Sequence, residues 1–171
     1  MSDLEKLESF HKTLDVDQLS DDAFLVELTL ASAEFDALAH YLKIPGVSML
    51  QARARVLRHG ALVTVEGRIE ATLTRECVAT LEPLTEDIDE PFTVTYTTAP
   101  AAGDLPEEME ADLDAPEPVE GGILDMQDVF FEQLVLAMAP HPRKEGAEAI
   151  PDPGAGATIS PFSVLKDLKS D

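Results

Sequence analysis

Cysteine and tryptophan are nearly missing from this chain, which has one cysteine, Cys77, and no tryptophan in 171 residues. A single cysteine excludes an intramolecular disulfide and a zinc site made of cysteine thiolates. A long apolar run is also missing: Glu132 and Gln133 interrupt the longest one, residues 129–139, which is shorter than the ~20 residues that span a bilayer. The acidic opening lacks the pattern of a secretory signal. We therefore expect a soluble protein of the reducing cytoplasm.

Basic residues are few and unevenly placed. The chain has 12 Lys and Arg against 34 Asp and Glu, a formal net charge of −22, and no Lys or Arg lies between Arg75 and Arg143. Residues 43–75, by contrast, carry six basic residues and two glutamates. Most of such a surface repels phosphate groups, so a contact with RNA must be local, and basic proteins are the easier partners.

We expect a single domain over residues 1–171. In the first part of this domain, apolar periodicity predicts a strand and then a helix. Apolar residues alternate with a period of two over residues 24–30, which is typical of a half-buried strand, and a weaker strand is expected over residues 10–16. Residues 35–42 carry the i, i+3, i+4, i+7 stripe of an amphipathic helix. Ser32 is its expected N-cap, and Pro45-Gly46 ends it.

The clearest pattern predicts a β-hairpin over residues 50–73. Two stretches alternate between apolar and polar residues, and His59-Gly60 between them fits a tight turn. A two-residue turn at that place would pair Arg53 with Glu66 on the polar face. The second strand is expected to continue through Cys77 to Leu81 and then to return over residues 92–96, which gives an antiparallel meander.

Four arginines of this region are the candidate binding residues: Arg53, Arg55, Arg68 and Arg75. The first three share the polar face of the hairpin. The alternation of its strand places Arg75 on the inner face of the sheet. Either the strand therefore bulges there, or the inner face opens to solvent near Arg75. The alternative reading of the polar face is ordinary cross-strand pairing of arginine with Glu66 and Glu70 on a solvated surface.

The second half of the chain alternates between polar segments and helices. Residues 99–120 are rich in Ala, Gly, Pro and acidic residues, which predicts a flexible acidic loop within the domain that either recruits a partner or only improves solubility. A largely buried helix is expected over residues 125–138 with Asp125 as its cap. Residues 140–159 are expected to form a second flexible segment, and a short C-terminal helix is expected to start at Ser160.

Residue patterns for catalysis or for cofactors do not emerge from the sequence. The four histidines are far apart and have no metal-ligand spacing, and no nucleophile elbow or phosphate-binding loop is present. Cys77 reads as a small core residue, because Glu76 beside it would oppose formation of a thiolate. We expect no metal, no cofactor and no small-molecule substrate.

Two motifs resemble a known family. Residues 65–83 read V-E-G-R-I-E-A-T-L-T-R-E-C-V-A-T-L-E-P, and residues 88–96 read I-D-E-P-F-T-V-T-Y. They resemble the core of the YceD-like family of large ribosomal RNA subunit accumulation proteins, in its alphaproteobacterial form. Similar segments at residues 10–19, 121–125, 132–137 and 160–165 extend the resemblance over nearly the whole chain. Many members carry a cysteine cluster after the late helix that looks like a metal site, and this chain has none there.

The resemblance implies a role in the accumulation of large-subunit (23S) ribosomal RNA and in ribosome assembly, and it brings no catalytic residues with it. We expect an α+β fold: a curved antiparallel sheet or partly open barrel covered by two main helices. The expected function is that of a non-enzymatic assembly factor that binds a ribosomal protein or an rRNA segment. The alternative is an enzyme that processes or modifies rRNA.

Overall fold

The computed structural model describes residues 7–20, 22–99 and 116–147. Its strands and helices are β1 (Thr13–Asp15), β2 (Phe24–Thr29), α1 (Phe35–Leu42), β3 (Gly46–His59), β4 (Leu62–Glu76), β5 (Pro83–Thr97), β6 (Glu117–Pro118), β7 (Ile123–Asp125) and α2 (Met126–Ala137). The predicted α+β class is confirmed. The predicted helix at Ser160 and much of the two predicted flexible segments lie outside the described residues.

A five-stranded sheet forms the centre of the fold, with the order β2-β3-β4-β5-β6. Its strands pair antiparallel except for β5 and β6, which run parallel. The sheet is curved and does not close into a barrel. β1 and β7 form a separate two-stranded sheet. The end of the predicted acidic loop, at Glu117–Pro118, therefore lies in the main sheet.

The predicted hairpin is confirmed, but its turn was placed wrongly. His59 pairs with Leu62, so the two-residue loop is Gly60-Ala61 and not His59-Gly60. Two-residue hairpin turns need a positive φ at their first loop residue, and Gly60, which has φ 62°, supplies it. The register consequently shifts by two residues and pairs Arg53 with Arg68 instead of Glu66. Because the shift is even, every side chain keeps its predicted face.

The expected continuation of this strand to Leu81 is wrong, because β4 ends at Glu76. Residues 77–82 form a turn in which Cys77 N–H donates to the carbonyl of Glu82 and Leu81 has a positive φ of 60°. β5 then pairs antiparallel with β4, which confirms the predicted meander. The Cys77 side chain is buried under this turn, where its Sγ accepts a hydrogen bond from the Lys144 N–H at 3.4 Å.

The two helices begin in different ways. α2 is capped as predicted, since the Asp125 carboxylate accepts the N–H of Gln127 at 2.9 Å. The expected N-cap of α1 is wrong: Ser32 opens a turn of 3-10 helix, Ser32–Glu34, and α1 follows it without a side-chain cap. That entry is held by Ser9 instead, whose hydroxyl accepts the N–H of Ala31 at 2.8 Å.

The core lies between the inner face of the sheet and the two helices. Odd-numbered residues of β4 from Val63 to Leu73 are buried there, apart from half-buried Gly67. Phe130 of α2 packs edge-on against Phe92 of β5, with ring centroids 6.0 Å apart. Phe10 stacks on Phe131 at 5.4 Å, which brings the N-terminal segment into the same core. The opposite, outer face of the sheet carries the polar residues.

Candidate functional site

Arg53, Arg55 and Arg68 lie on the outer face of the main sheet, as their alternation with buried residues predicted. Their inward neighbours Ala54 and Ile69 are buried. The three arginine side chains are 63%, 57% and 37% exposed, in that order. The sequence prediction that these three share one solvated face is thus confirmed, although their role remains a prediction.

The register places two of these arginines directly opposite each other. Arg53 of β3 pairs with Arg68 of β4, and like charges in that position repel. Neighbouring carboxylates offset the repulsion, since Arg53 Nη2 lies 3.3 Å from Glu70 Oε1 and Arg68 forms an ion pair with Asp89 of β5. Two guanidinium groups are thereby held side by side on a rigid scaffold.

Arg55 completes the cluster, with Nη2 at 3.4 Å from Glu66 Oε2 on the facing strand. Exposed ion pairs of this kind contribute only about 0–1 kcal/mol each, because water screens them and long side chains lose entropy. An arginine in such a pair can therefore exchange its carboxylate for a phosphate or for a carboxylate of a partner at little cost.

A concavity of about 410 Å³ lies among these side chains. Its lining includes the three arginines together with Leu25 and Glu27 of edge strand β2. Leu25 is 68% exposed and gives the concavity an apolar side. The contribution of β2 was not predicted from the sequence, although the alternation of the predicted strand places Leu25 and Glu27 on its outward side.

Carboxylates outnumber arginines on this part of the face. Three arginines share it with five acidic residues: Glu27, Glu66, Glu70, Asp87 and Asp89. Asp87 and Asp89 come from β5, which contributes no basic residue. The excess of basic residues counted along residues 43–75 is therefore cancelled once the neighbouring strands are in place. The face is a mosaic of both signs.

Arg75 lies apart from this cluster, on the inner face of the sheet. Its Nη1 is 2.5 Å from Glu86 Oε2, and both side chains are 13% exposed. Arg75 Nη2 also donates to the carbonyl of Ala139 at 3.2 Å, while the Ala139 N–H donates to Glu86 Oε1 at 2.6 Å. The inner face neither bulges nor opens here. The residues that follow α2 cover it, and Arg75 fastens them to the sheet through Ala139.

A second group of titratable residues lies near α2, away from the arginines. Burial, with the charges of Glu132, Glu117 and Asp128, raises the pKa of Tyr96 to about 12. Burial also raises the pKa of Glu132 and Asp128, and each is raised further by neighbouring carboxylates. Negative charge is thus concentrated at this end of the molecule.

Within residues 7–20, 22–99 and 116–147, no group of three or more His, Cys, Asp or Glu side chains could hold a metal ion. The helices of the same residues are too short or too polar for any of them to cross a membrane.

The fold and the face define a class: an α+β domain on an open, curved antiparallel sheet, with helices on one side and a mixed-charge polar surface on the other. A family model described as large ribosomal RNA subunit accumulation protein YceD matches residues 65–169, more than half of the chain. The protein belongs to this YceD family. No curated protein matches the chain, and no solved structure matches it.

Proposed function

We propose that this protein is a non-enzymatic cytoplasmic factor that supports accumulation of large-subunit rRNA, and that it acts by binding a ribosomal protein or an rRNA segment. Membership of the YceD family carries the link to rRNA in this proposal, because the family description names accumulation of the large ribosomal RNA subunit. The geometry supports a binding protein, since the exposed arginines form a concave surface on a rigid sheet.

The charge of the molecule favours a division of roles between two regions. A net charge of −22 attracts basic proteins and raises their association rate. The acidic residues of segment 99–120 are the proposed contact for a basic ribosomal protein. Arg53, Arg55 and Arg68 are the proposed contact for rRNA, because their ion pairs are exposed and exchangeable.

Two charge variants test this division. In the first, Arg53, Arg55 and Arg68 are all changed to Gln. In the second, the six acidic residues within 100–115 are changed to their amides. Charge removal is preferable to deletion, because β6 pairs parallel with β5 and a parallel pair needs a long crossover between its strands. The arginine variant should fold, since every changed arginine is on the outer face, and the loop variant should fold, since it changes no residue of the described strands and helices.

The measurement is affinity purification from cells at low and high salt, with identification of bound protein and RNA. We expect the arginine variant to lose RNA, the loop variant to lose the protein partner, and both losses to be reproduced by high salt in the unchanged protein. A matched control is Arg143→Gln, which removes an arginine outside the sheet. Retention of both partners by both variants would rule out these two contacts. Alteration of rRNA by the purified protein alone would favour the enzyme alternative.

A further inference from the structure

An apolar groove between α1 and α2 is left open by the described residues. It has a volume of about 460 Å³ and is lined by Tyr41 of α1 and by Phe131, Val135 and Leu136 of α2. Leu136 is 76% exposed, Val135 52% and Tyr41 39%. Adjacent large apolar side chains at this exposure mark a surface that is covered by something else.

Two carboxylates line the same groove, Asp128 and Glu132. They stand one turn apart on α2, and neither forms an ion pair with a basic residue of the described part of the chain. An occupant of the groove should therefore combine apolar side chains with positive charge.

The chain itself contains a segment with this chemistry. Residues 159–169 read I-S-P-F-S-V-L-K-D-L-K, and they carry Lys166 and Lys169, two of the chain's three basic residues outside the described ranges. In a helix that starts after Ser160, the side chains of Val164, Leu165 and Leu168 fall within one third of the circumference. Lys169 stands one turn after Leu165, at the edge of this stripe.

Chain length allows the segment to reach the groove. Thirteen peptide steps separate Ala147, the last described residue, from Ser160, and an extended chain of that length spans about 43 Å. A domain of 171 residues has a radius of gyration of about 15.5 Å. Attachment also gives the segment a high effective concentration, so it competes well with any separate molecule.

We propose that residues 159–169 of this chain bind as an amphipathic helix in the groove between α1 and α2, with their apolar stripe over Leu136 and Lys169 beside Glu132 and Asp128. This inference is independent of the proposed ribosomal role. It assigns an intramolecular partner to the most exposed apolar residues of α2.

A nitroxide label provides the direct test. Ser163, on the opposite side of the proposed helix from the apolar stripe, is changed to Cys and labelled in the full chain carrying Cys77→Ala. We expect strong broadening of the methyl NMR signals of Val135 and Leu136 and much weaker broadening of Leu25, on the other face of the sheet. Equal broadening at Leu25 and Leu136 would overturn the proposal. Broadening that arises only between labelled and unlabelled copies would assign the groove to a second molecule and would also overturn it.

Native-cysteine variants provide a second test. Leu165→Ser with Leu168→Ser should increase the hydrogen exchange of α2 and the binding of an apolar dye, whereas Ile150→Ser, outside the stripe, should leave both unchanged. Lys169→Gln should raise the pKa of Glu132 further, as followed by carboxyl-carbon NMR. If the double serine variant behaves as the Ile150→Ser control does, or if the pKa of Glu132 does not move, the segment does not occupy the groove.

Discussion

Gly67→Ala should destabilise the protein and disturb the arginine face. Gly67 lies opposite Phe92, whose ring covers the space that a side chain would need. A Cβ at Gly67 would lie 2.6 Å from the Arg53 carbonyl oxygen, 2.6 Å from Phe92 Cζ and 2.8 Å from Phe92 Cε1. Ordinary contacts begin near 3.4 Å. Both the neighbouring strand and the aromatic ring would therefore have to move.

The expected cost follows from those two displacements. Overpacking in a filled core costs about 1–3 kcal/mol, and the backbone clash places this variant near the upper end because the Arg53 carbonyl belongs to the adjoining strand. Replacing glycine by alanine also lowers the conformational entropy of the unfolded chain, which stabilises the folded state by about 0.4–1 kcal/mol. We expect a net loss of about 2 kcal/mol.

Gly46→Ala is the matched control in the same hairpin. Its Cβ would meet Thr74 at 3.5 Å and 3.6 Å, which are ordinary contacts, so the free energy of unfolding should stay equal or rise slightly. Urea denaturation of both variants measures the difference. Phe92→Leu in the Gly67→Ala background should recover part of the loss, because it removes the two clashing ring atoms. Equal stability of the two alanine variants would refute the reasoning.

Three further changes probe the rest of the fold. Arg75→Met should lower the free energy of unfolding by about 3 kcal/mol, because the carboxylate of Glu86 stays buried without its cation; urea denaturation should show that Arg75→Met with Glu86→Met loses less. Burial, chiefly, raises the pKa of Tyr96 from its ordinary value of 10.0 to about 12 in the folded state. Unfolding titrations should therefore show stability lost as pH rises above 10, and Tyr96→Phe should lose less. The Lys144 N–H, chiefly, lowers the pKa of Cys77 from 9.0 to about 7. The stabilisation that comes from ionised Cys77 should be complete above pH 9 and vanish as pH falls through 7. The loss of unfolding free energy caused by Cys77→Ala should therefore increase as pH rises from 7 to 9. A deficit that is constant with pH would contradict the last expectation.

Side-chain parity could be predicted from the sequence, whereas register could not. Alternation in a strand has a period of two, so the buried and exposed faces follow from local pattern alone. A shift of two residues leaves that pattern intact but changes every cross-strand partner. The pairing of Arg53 with Arg68 depended on which residue opens the turn, and the positive φ of Gly60 decides this. In the predicted loop, His59-Gly60, glycine stands second. This was the sequence signal for a loop that begins at Gly60 instead.

Partners from distant parts of the chain were not predictable for a different reason. The position of Asp89 beside Arg68 depends on the length of the 77–82 turn, where Leu81 adopts a positive φ that its side chain does not favour. The contact of Arg75 with Ala139 joins residues 64 positions apart. Local periodicity carries no information on such contacts. The sequence therefore predicts that the Arg75 side chain points inward, but it does not predict the partners that Arg75 meets there.

The mixed charge of the arginine face bears on the order in which the two proposed partners would bind. Five carboxylates surround Arg53, Arg55 and Arg68, so a phosphate chain that approaches them is repelled by their neighbours as well as by the net charge of −22. A basic protein on the acidic residues would lower this repulsion and would leave the exchangeable arginine pairs able to take phosphates. We therefore expect RNA to bind weakly to the isolated protein and more tightly after the basic partner, with a steep salt dependence in both steps. Filter binding of rRNA fragments with and without that partner measures the difference. RNA affinity that does not depend on the partner would mean that the arginines work without neutralisation of the acidic surface.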